Sequence, residues 1–131
     1  MKTMNPVVHF EMPTDDPKRV AKFYTDVFGW ENKLMGPEMN DYVLATTTES
    51  DEKGPKKLGA INGGFFAKSK SESKSPSVVI QVDDIKNHME KVKTAGGKVI
   101  GLPVEIPGVG HYVSFVDTEG NVVSMLQPHI T

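Results

Sequence analysis

The chain repeats itself. The stretch VVHFEMPTDDPKRVAKFYTDVFGW, from Val7 to Trp30, has a fainter copy 68 positions later in SVVIQVDDIKNHMEKVKTAGGK. Asp15, Asp16, Lys18 and Gly29 recur as Asp83, Asp84, Lys86 and Gly97 with their spacing unchanged. Self-similarity at a fixed offset constrains the architecture before any residue has a role, because both copies must fold by the same plan.

The plan can be read from periodicity. Val7–Met12 alternates as a strand does, with Val8, Phe10 and Met12 on one face and Val7, His9 and Glu11 on the other. Asp16 can cap a helix whose first position is Pro17, where a missing N–H costs nothing. Val20, Tyr24, Val27 and Phe28, with Phe23 beside them, form its expected apolar stripe, and Gly29 its left-handed stop. Strands are predicted at Trp30–Met35, Asp41–Thr47 and Leu58–Phe66, with polar Thr48–Lys57 as a loop. In the second copy, Ser77–Val82 is a strand. Asp83 or Asp84 caps a helix carrying Ile85, Met89, Val92 and Ala95, which Gly96-Gly97 ends. Lys98–Ile106, Tyr112–Val116 and Val122–Gln127 follow as strands, the last two flanking a turn at 117–121; Pro103 argues against a central place for the first. Each half is strand–helix–strand–strand–strand.

The expected fold class is therefore α+β, with two βαβββ modules. A four-stranded sheet with one helix is covered on one face only, so the halves are expected to cover each other, mixed sheets curling around a cavity. At 131 residues the chain is read as one domain. Module 1 spans about 5–66, a solvated Ser/Lys linker 67–76, and module 2 about 77–128.

Composition removes several function classes. A net charge of −2 gives no basic footprint for nucleic acid and no general attraction to an anionic membrane. No apolar run approaches a membrane span, and the first residues lack the apolar core of a signal peptide. With no cysteine there is no thiolate nucleophile or ligand, and a cytoplasmic location is expected.

The candidate site follows from the alternation. His9 and Glu11 point away from the helix side, into the expected cavity. His9 is either a ligand contact or a buried, hydrogen-bonded histidine. Glu11 is a general base, if burial raises its pKa, or an ion-paired or simply polar wall. Trp30, Tyr42 and Tyr112 are possible apolar or stacking walls, although Trp30 also suits the core. A metal set of His9, Glu11 and His111 is conceivable.

The order of these motifs resembles the vicinal oxygen chelate superfamily, which includes glyoxalase I, bleomycin-resistance proteins and extradiol dioxygenases. The carriers are His9, Asp16-Pro17 through Phe28-Gly29-Trp30, Val82-Asp83-Asp84 to Ala95-Gly96-Gly97, Ile106-Pro107-Gly108-Val109-Gly110 and Asp117-Thr118-Glu119-Gly120-Asn121. The resemblance is closest to the poorly characterised glyoxalase-related branch. It implies the glyoxalase/bleomycin-resistance fold, commonly a homodimer, and in many members a metal held by one ligand on the first and last strand of each module. His9 falls on one such position. Ser77 and Ser124 fall on two others, and the fourth lies near Asn62 and Gly63. One ligand of four is kept, so no tightly bound metal and no other cofactor is expected. Asn62, Ser77 and Ser124 are instead expected to touch a ligand.

Three functions stay open. The first is a metal-free protein binding a small organic molecule in the inter-module cavity through His9 and Glu11. The second is a lyase or isomerase like lactoylglutathione lyase, dependent on a metal or on His9 and Glu11. The third is a non-catalytic interaction module. The expected partners are a small-molecule ligand and a second copy of the chain, with no nucleic acid and no membrane.

Overall fold

The structure is a computed structural model that describes residues 4–70 and 74–129. The chain divides into two compact units, one formed by His9–Pro76 and the other by the chain up to Val8 together with Ser77 onward. Both follow the same plan, which makes the fold an α+β pair of βαβββ modules.

Strand β1 (Val7–Thr14), which belongs to the first unit from His9 onward, leads through Asp16 into helix α1 (Pro17–Phe28), followed by β2 (Glu31–Leu34) and β3 (Val43–Thr46). A small hairpin, β4 (Ser50–Asp51) and β5 (Gly54–Pro55), precedes β6 (Asn62–Ala67). The main strands lie in the order β2-β3-β6-β1, with β1 and β6 parallel and the other pairs antiparallel. In the second unit, β7 (Ser77–Gln81), α2 (Ile85–Thr94), β8 (Lys98–Ile106), β9 (Gly110–Val116) and β10 (Val122–Pro128) give the order β7-β10-β9-β8. The first strand again runs parallel to the last. β8 is an edge strand and carries a register shift between Ile100 and Val104, where Pro103 removes a donor at no cost to a central ladder.

The two helix starts are near copies. Asp16 has φ −142° and ψ 98°, and its carboxylate accepts from the Arg19 N–H. Asp84 has φ −139° and ψ 96°, and accepts from the Asn87 N–H. The helix ends differ. Gly29 takes the left-handed conformation at φ 73°, whereas in the second unit Gly96 does so, at φ 100°, rather than Gly97. Gly97 is needed for another reason: a side chain there would collide with Val92 and the Val116 carbonyl.

Each helix packs on one sheet face. Under α1, buried Ala21, Val43, Ala45 and Phe65 meet Phe10, Met12, Val20, Tyr24 and Trp30. Under α2, buried Val82, Ile85, Val113 and Met125 meet Ile80, Met89, Val92, Val99 and Phe115.

Several sequence expectations need correction. Much of the α1 stripe is open: Phe23, Val27 and Phe28 are 53%, 56% and 61% exposed, and the buried residue of the helix is the small Ala21, which the stripe did not include. The strand predicted from Asp41 starts at Val43, since Asn40 and Asp41 are both left-handed, at φ 54° and 57°. The strand predicted from Leu58 starts at Asn62, and Leu58 is 98% exposed. The loop at 48–57 contains the β4–β5 hairpin. Of the linker, Ala67 belongs to β6 and Lys68–Lys70 form a 3-10 turn, while 71–73 lie outside the described residues.

Candidate functional site

Strand register places the candidate residues of the first unit. β1 pairs with β6 as His9↔Asn62 and Glu11↔Gly64, and β6 pairs with β3 as Gly64↔Leu44. β3 pairs with β2 as Leu44↔Lys33. Phe10, Phe65 and Val43 fill the helix side, so the alternate residues His9, Glu11, Asn62, Gly64 and Leu44 share the helix-free face. The alternation of β1 puts His9 and Glu11 on one face, and the register does the same.

Tyr42 completes this face. Its hydroxyl donates to Glu11 Oε2 at 3.1 Å. Its phenol end lies over Gly64, where any Cβ would overlap Tyr42 Oη, Cζ and Cε2. Gly64 is therefore the seat of Tyr42, and Tyr42 holds the Glu11 carboxylate. In the sequence Gly64 reads only as part of a glycine-rich strand. A glycine there signals a close approach, and the structure supplies what approaches.

His9 keeps an open side to solvent, while the protein around it desolvates the ring enough to hold its pKa below the ordinary histidine value. The neutral imidazole can donate from one nitrogen and accept at the other. Beside it, the Asn62 amide holds the neighbouring loop: Oδ1 accepts from the Thr47 N–H at 2.9 Å, and Nδ2 donates to Ser50 Oγ at 2.9 Å. Its first role in the structure is to clamp the segment leading into the hairpin.

Trp30 lies elsewhere. It stacks on Tyr24 at 4.6 Å between ring centroids and sits 5.5 Å from Phe10, within the cluster beneath α1. A ring on that side cannot wall a ligand touching His9 and Glu11 on the other face, so its role is packing.

The remaining candidates belong to the second unit. Ser124 is 3% exposed and sits between two hydroxyls, Tyr112 Oη at 2.7 Å and Ser114 Oγ at 2.9 Å. Ser77 donates to the Val122 carbonyl at 2.7 Å. His111 is within β9, paired with Glu105 and Gln127, and its ring meets His129 edge-on at 5.6 Å.

The two serines offer neutral hydroxyls already engaged with protein oxygens, and the Asn62 amide is occupied at both ends. Among the described residues, no three His, Asp or Glu side chains are placed to hold a metal ion. Nor does any described helix have the length and apolarity to cross a membrane.

Comparison with known proteins bears on the whole chain. Residues 7–125 match the model of the Glyoxalase/Bleomycin resistance protein/Dioxygenase superfamily. A glyoxylase-like domain-containing protein of Didymella fabae is 32% identical over 112 residues, covering 85% of this chain and 84% of that one. The uncharacterised protein YetH of Bacillus subtilis is 31% identical over 111 residues, covering 82% and 86%. Among solved structures, a methylmalonyl-CoA epimerase superposes with a TM-score of 0.71 over 99% of this chain and 100% of that one, at 14% identity, a likeness of fold alone. The repeated βαβββ plan and the family match agree: this chain belongs to the glyoxalase/bleomycin resistance protein/dioxygenase superfamily.

Proposed function

We propose that this protein binds a small organic molecule on the helix-free face of its first module, through His9 and Glu11, without a tightly held divalent metal. The observation that carries the reading is the shared face of His9 and Glu11, with Tyr42 donating to Glu11. A neutral imidazole, a carboxylate and a phenol ring within two strand rows form the mixed polar and aromatic lining that small-molecule sites use. The hydroxyl and amide groups at the family's other ligand positions support the metal-free part. We place the protein in the cytoplasm, in keeping with its lack of cysteine.

Native mass spectrometry of protein purified without an affinity tag tests this. A bound organic adduct is expected in the natural protein and is expected to be lost in His9→Ala and Glu11→Gln. Elemental analysis of the same sample is expected to show less than stoichiometric transition metal; a full equivalent that disappears in His9→Ala would overturn the metal-free reading.

Glu11 also favours a second reading, a lyase or isomerase in which the carboxylate moves a proton. Its hydrogen bond from Tyr42 would fix the basic oxygens in place for that task. Turnover of hemithioacetal substrates that is abolished in Glu11→Gln would promote it.

We further propose a homodimer. Phe23, Val27 and Phe28 form an exposed apolar strip along α1 that a second copy could cover.

A further inference from the structure

The duplication gives each connection of the first module a counterpart in the second. In each module the last strand lies antiparallel beside the strand before it, β6 beside β3 and β10 beside β9. β9 and β10 are joined by the short turn 117–121. β3 and β6 are joined by the excursion 47–61, which carries the β4–β5 hairpin as a separate two-stranded sheet. Such a pair of strands needs only about two to five residues between them, and longer connections are commonly lids or binding loops.

The excursion is fastened by polar groups at its root. The Asn62 carboxamide accepts from the Thr47 N–H and donates to Ser50 Oγ, both at 2.9 Å. Thr47 Oγ1 donates to the Ile61 carbonyl at 2.6 Å, which ties the two ends of the excursion together. No residue from 48 to 59 is buried, and Leu58 is 98% exposed. A segment without buried apolar contacts opens at low cost in free energy. Its root also lies at the candidate site. Asn62 is the register partner of His9 and shares the helix-free face with it. Ser50, the first residue of β4, is bonded to the Asn62 amide and so stands on that face as well. At the start of β10, where the connection is the short turn, the residue is Val122, whose side chain cannot hold a loop by hydrogen bonds.

We propose that the β4–β5 hairpin is a flap at the His9 end of the ligand face, hinged at Thr47 and Ile61, and that Asn62 is the positioning residue that latches it. The inference rests on the small-molecule reading above and adds the device that controls entry to that site. With the amide bonds made, the hairpin stays beside His9. When they break, it swings on the two ends that Thr47 joins. Bonds between neutral, partly exposed groups are weak enough to be made and broken repeatedly.

The test uses the full chain and needs no ligand. Hydrogen exchange followed by mass spectrometry reads the opening of the flap. Carbethoxylation of His9 by diethyl pyrocarbonate reads access to the face, with His88 on α2 as internal reference. Asn62→Ala is expected to speed exchange across 48–57 about tenfold, the scale of one or two net hydrogen bonds, and to leave exchange in the second module unchanged. Ser50→Ala is expected to speed it about threefold, the lower end of one net hydrogen bond. In both variants His9 is expected to react faster relative to His88. Ser50→Ala keeps the Asn62 amide in place beside His9, so its gain belongs to the flap. Should Asn62→Ala fail to fold by circular dichroism, Ser50→Ala decides the matter. Unchanged exchange across 48–57 in folded Ser50→Ala, or faster exchange with no change in the His9 rate, would overturn the inference. An organic adduct lost in His9→Ala, seen by native mass spectrometry, would in that case leave the small-molecule reading standing. The expected gains in a chain that carries no adduct would leave the flap in place and count against the ligand instead.

Discussion

The phenol of Tyr42 lies over the Cα of Gly64 and donates its hydroxyl hydrogen to Glu11 Oε2 at 3.1 Å. Three strands meet in this contact: Glu11 comes from β1, Gly64 from β6, and Tyr42 stands at the head of β3. The approach to Tyr42 is unusual. Asn40 and Asp41 both adopt the left-handed conformation, and the Tyr42 N–H then bonds to the Met39 carbonyl at 3.1 Å. Left-handed residues other than glycine cost free energy and are kept where the fold holds them. Here they deliver the ring to the sheet.

Gly64→Ala is therefore expected to destabilise the chain by about 1–3 kcal/mol, the usual cost of forcing extra atoms into a filled space. The same substitution in a Tyr42→Ala background should cost much less, because the clashing ring is gone. Urea unfolding of the four proteins in this cycle measures the coupling. Additive losses would show that Tyr42 and Gly64 do not meet.

The two helix caps offer an internal control. Asp16→Ala and Asp84→Ala should each cost about 0.5–2 kcal/mol, because each removes one side-chain bond to an exposed backbone N–H. Their near-identical dihedrals predict losses of similar size, which add in the double variant. A large loss at one cap and none at the other would contradict the equivalence of the two helix starts.

Much of this fold is legible in the amino-acid sequence. The strand alternation around His9, the Asp16-Pro17 start and the Gly29 stop are local signals, and the repeat carries them to Asp84. The features that are not legible depend on partners distant along the chain. Nothing near Tyr42 says that Gly64, 22 positions later, will lie beneath it. Trp30 reads more readily as core than as a wall, and only its ring contacts with Tyr24 and Phe10 place it in the core beneath α1. The apolar stripe of α1 cannot reveal its own depth of burial: the residue that ends up buried is Ala21, outside the stripe, while Phe23, Val27 and Phe28 stay exposed. Ser124 and Ser77 enter the candidate site through family position alone. Their hydrogen bonds to Tyr112, Ser114 and the Val122 carbonyl depend on strand pairing that periodicity does not specify.

His9 predicts a pH dependence with a definite sign. Burial disfavours the imidazolium, so the folded chain releases this proton at lower pH than the unfolded chain does. Between the two pKa values the unfolded chain binds more protons, and stability rises with pH through that window. His9 therefore costs nothing above the ordinary value of 6.5 and lowers stability progressively as pH falls below it. The open side of the ring keeps the effect small. Urea midpoints above and below pH 6.5 should differ less in His9→Gln than in the natural protein. Identical differences in the two proteins would argue against a desolvated ring.

The exposed strip of α1 predicts self-association. In sedimentation, the natural chain is expected to run above its monomer mass of 14.4 kDa, and Phe28→Lys to shift it toward that mass. A lysine replacing a 61% exposed ring should leave the fold intact, which circular dichroism checks. A natural protein that stays monomeric at tens of micromolar, a concentration estimated to be ample for ordinary dimers, would leave the strip as plain surface.

The hydroxyl cluster of the second unit supplies the last prediction. Ser124 sits 3% exposed between Tyr112 Oη and Ser114 Oγ, on the strand where many family members are expected to present a metal-binding carboxylate. Ser124→Ala removes the shared partner of both hydroxyls and should cost about 1–3 kcal/mol, the penalty for breaking buried hydrogen bonds from one side. Ser124→Glu should cost more, because a carboxylate would have to be buried where serine just fits, beside hydroxyls already committed to one another. If the glutamate is accommodated at little cost, and calorimetry then shows a divalent metal binding that the natural chain lacks, the hydroxyl cluster is a remnant of a metal site rather than a replacement for one. A large loss of stability with no gain in metal affinity is the expected result, and it would make the Tyr112–Ser124–Ser114 cluster a structural part of the second module's sheet.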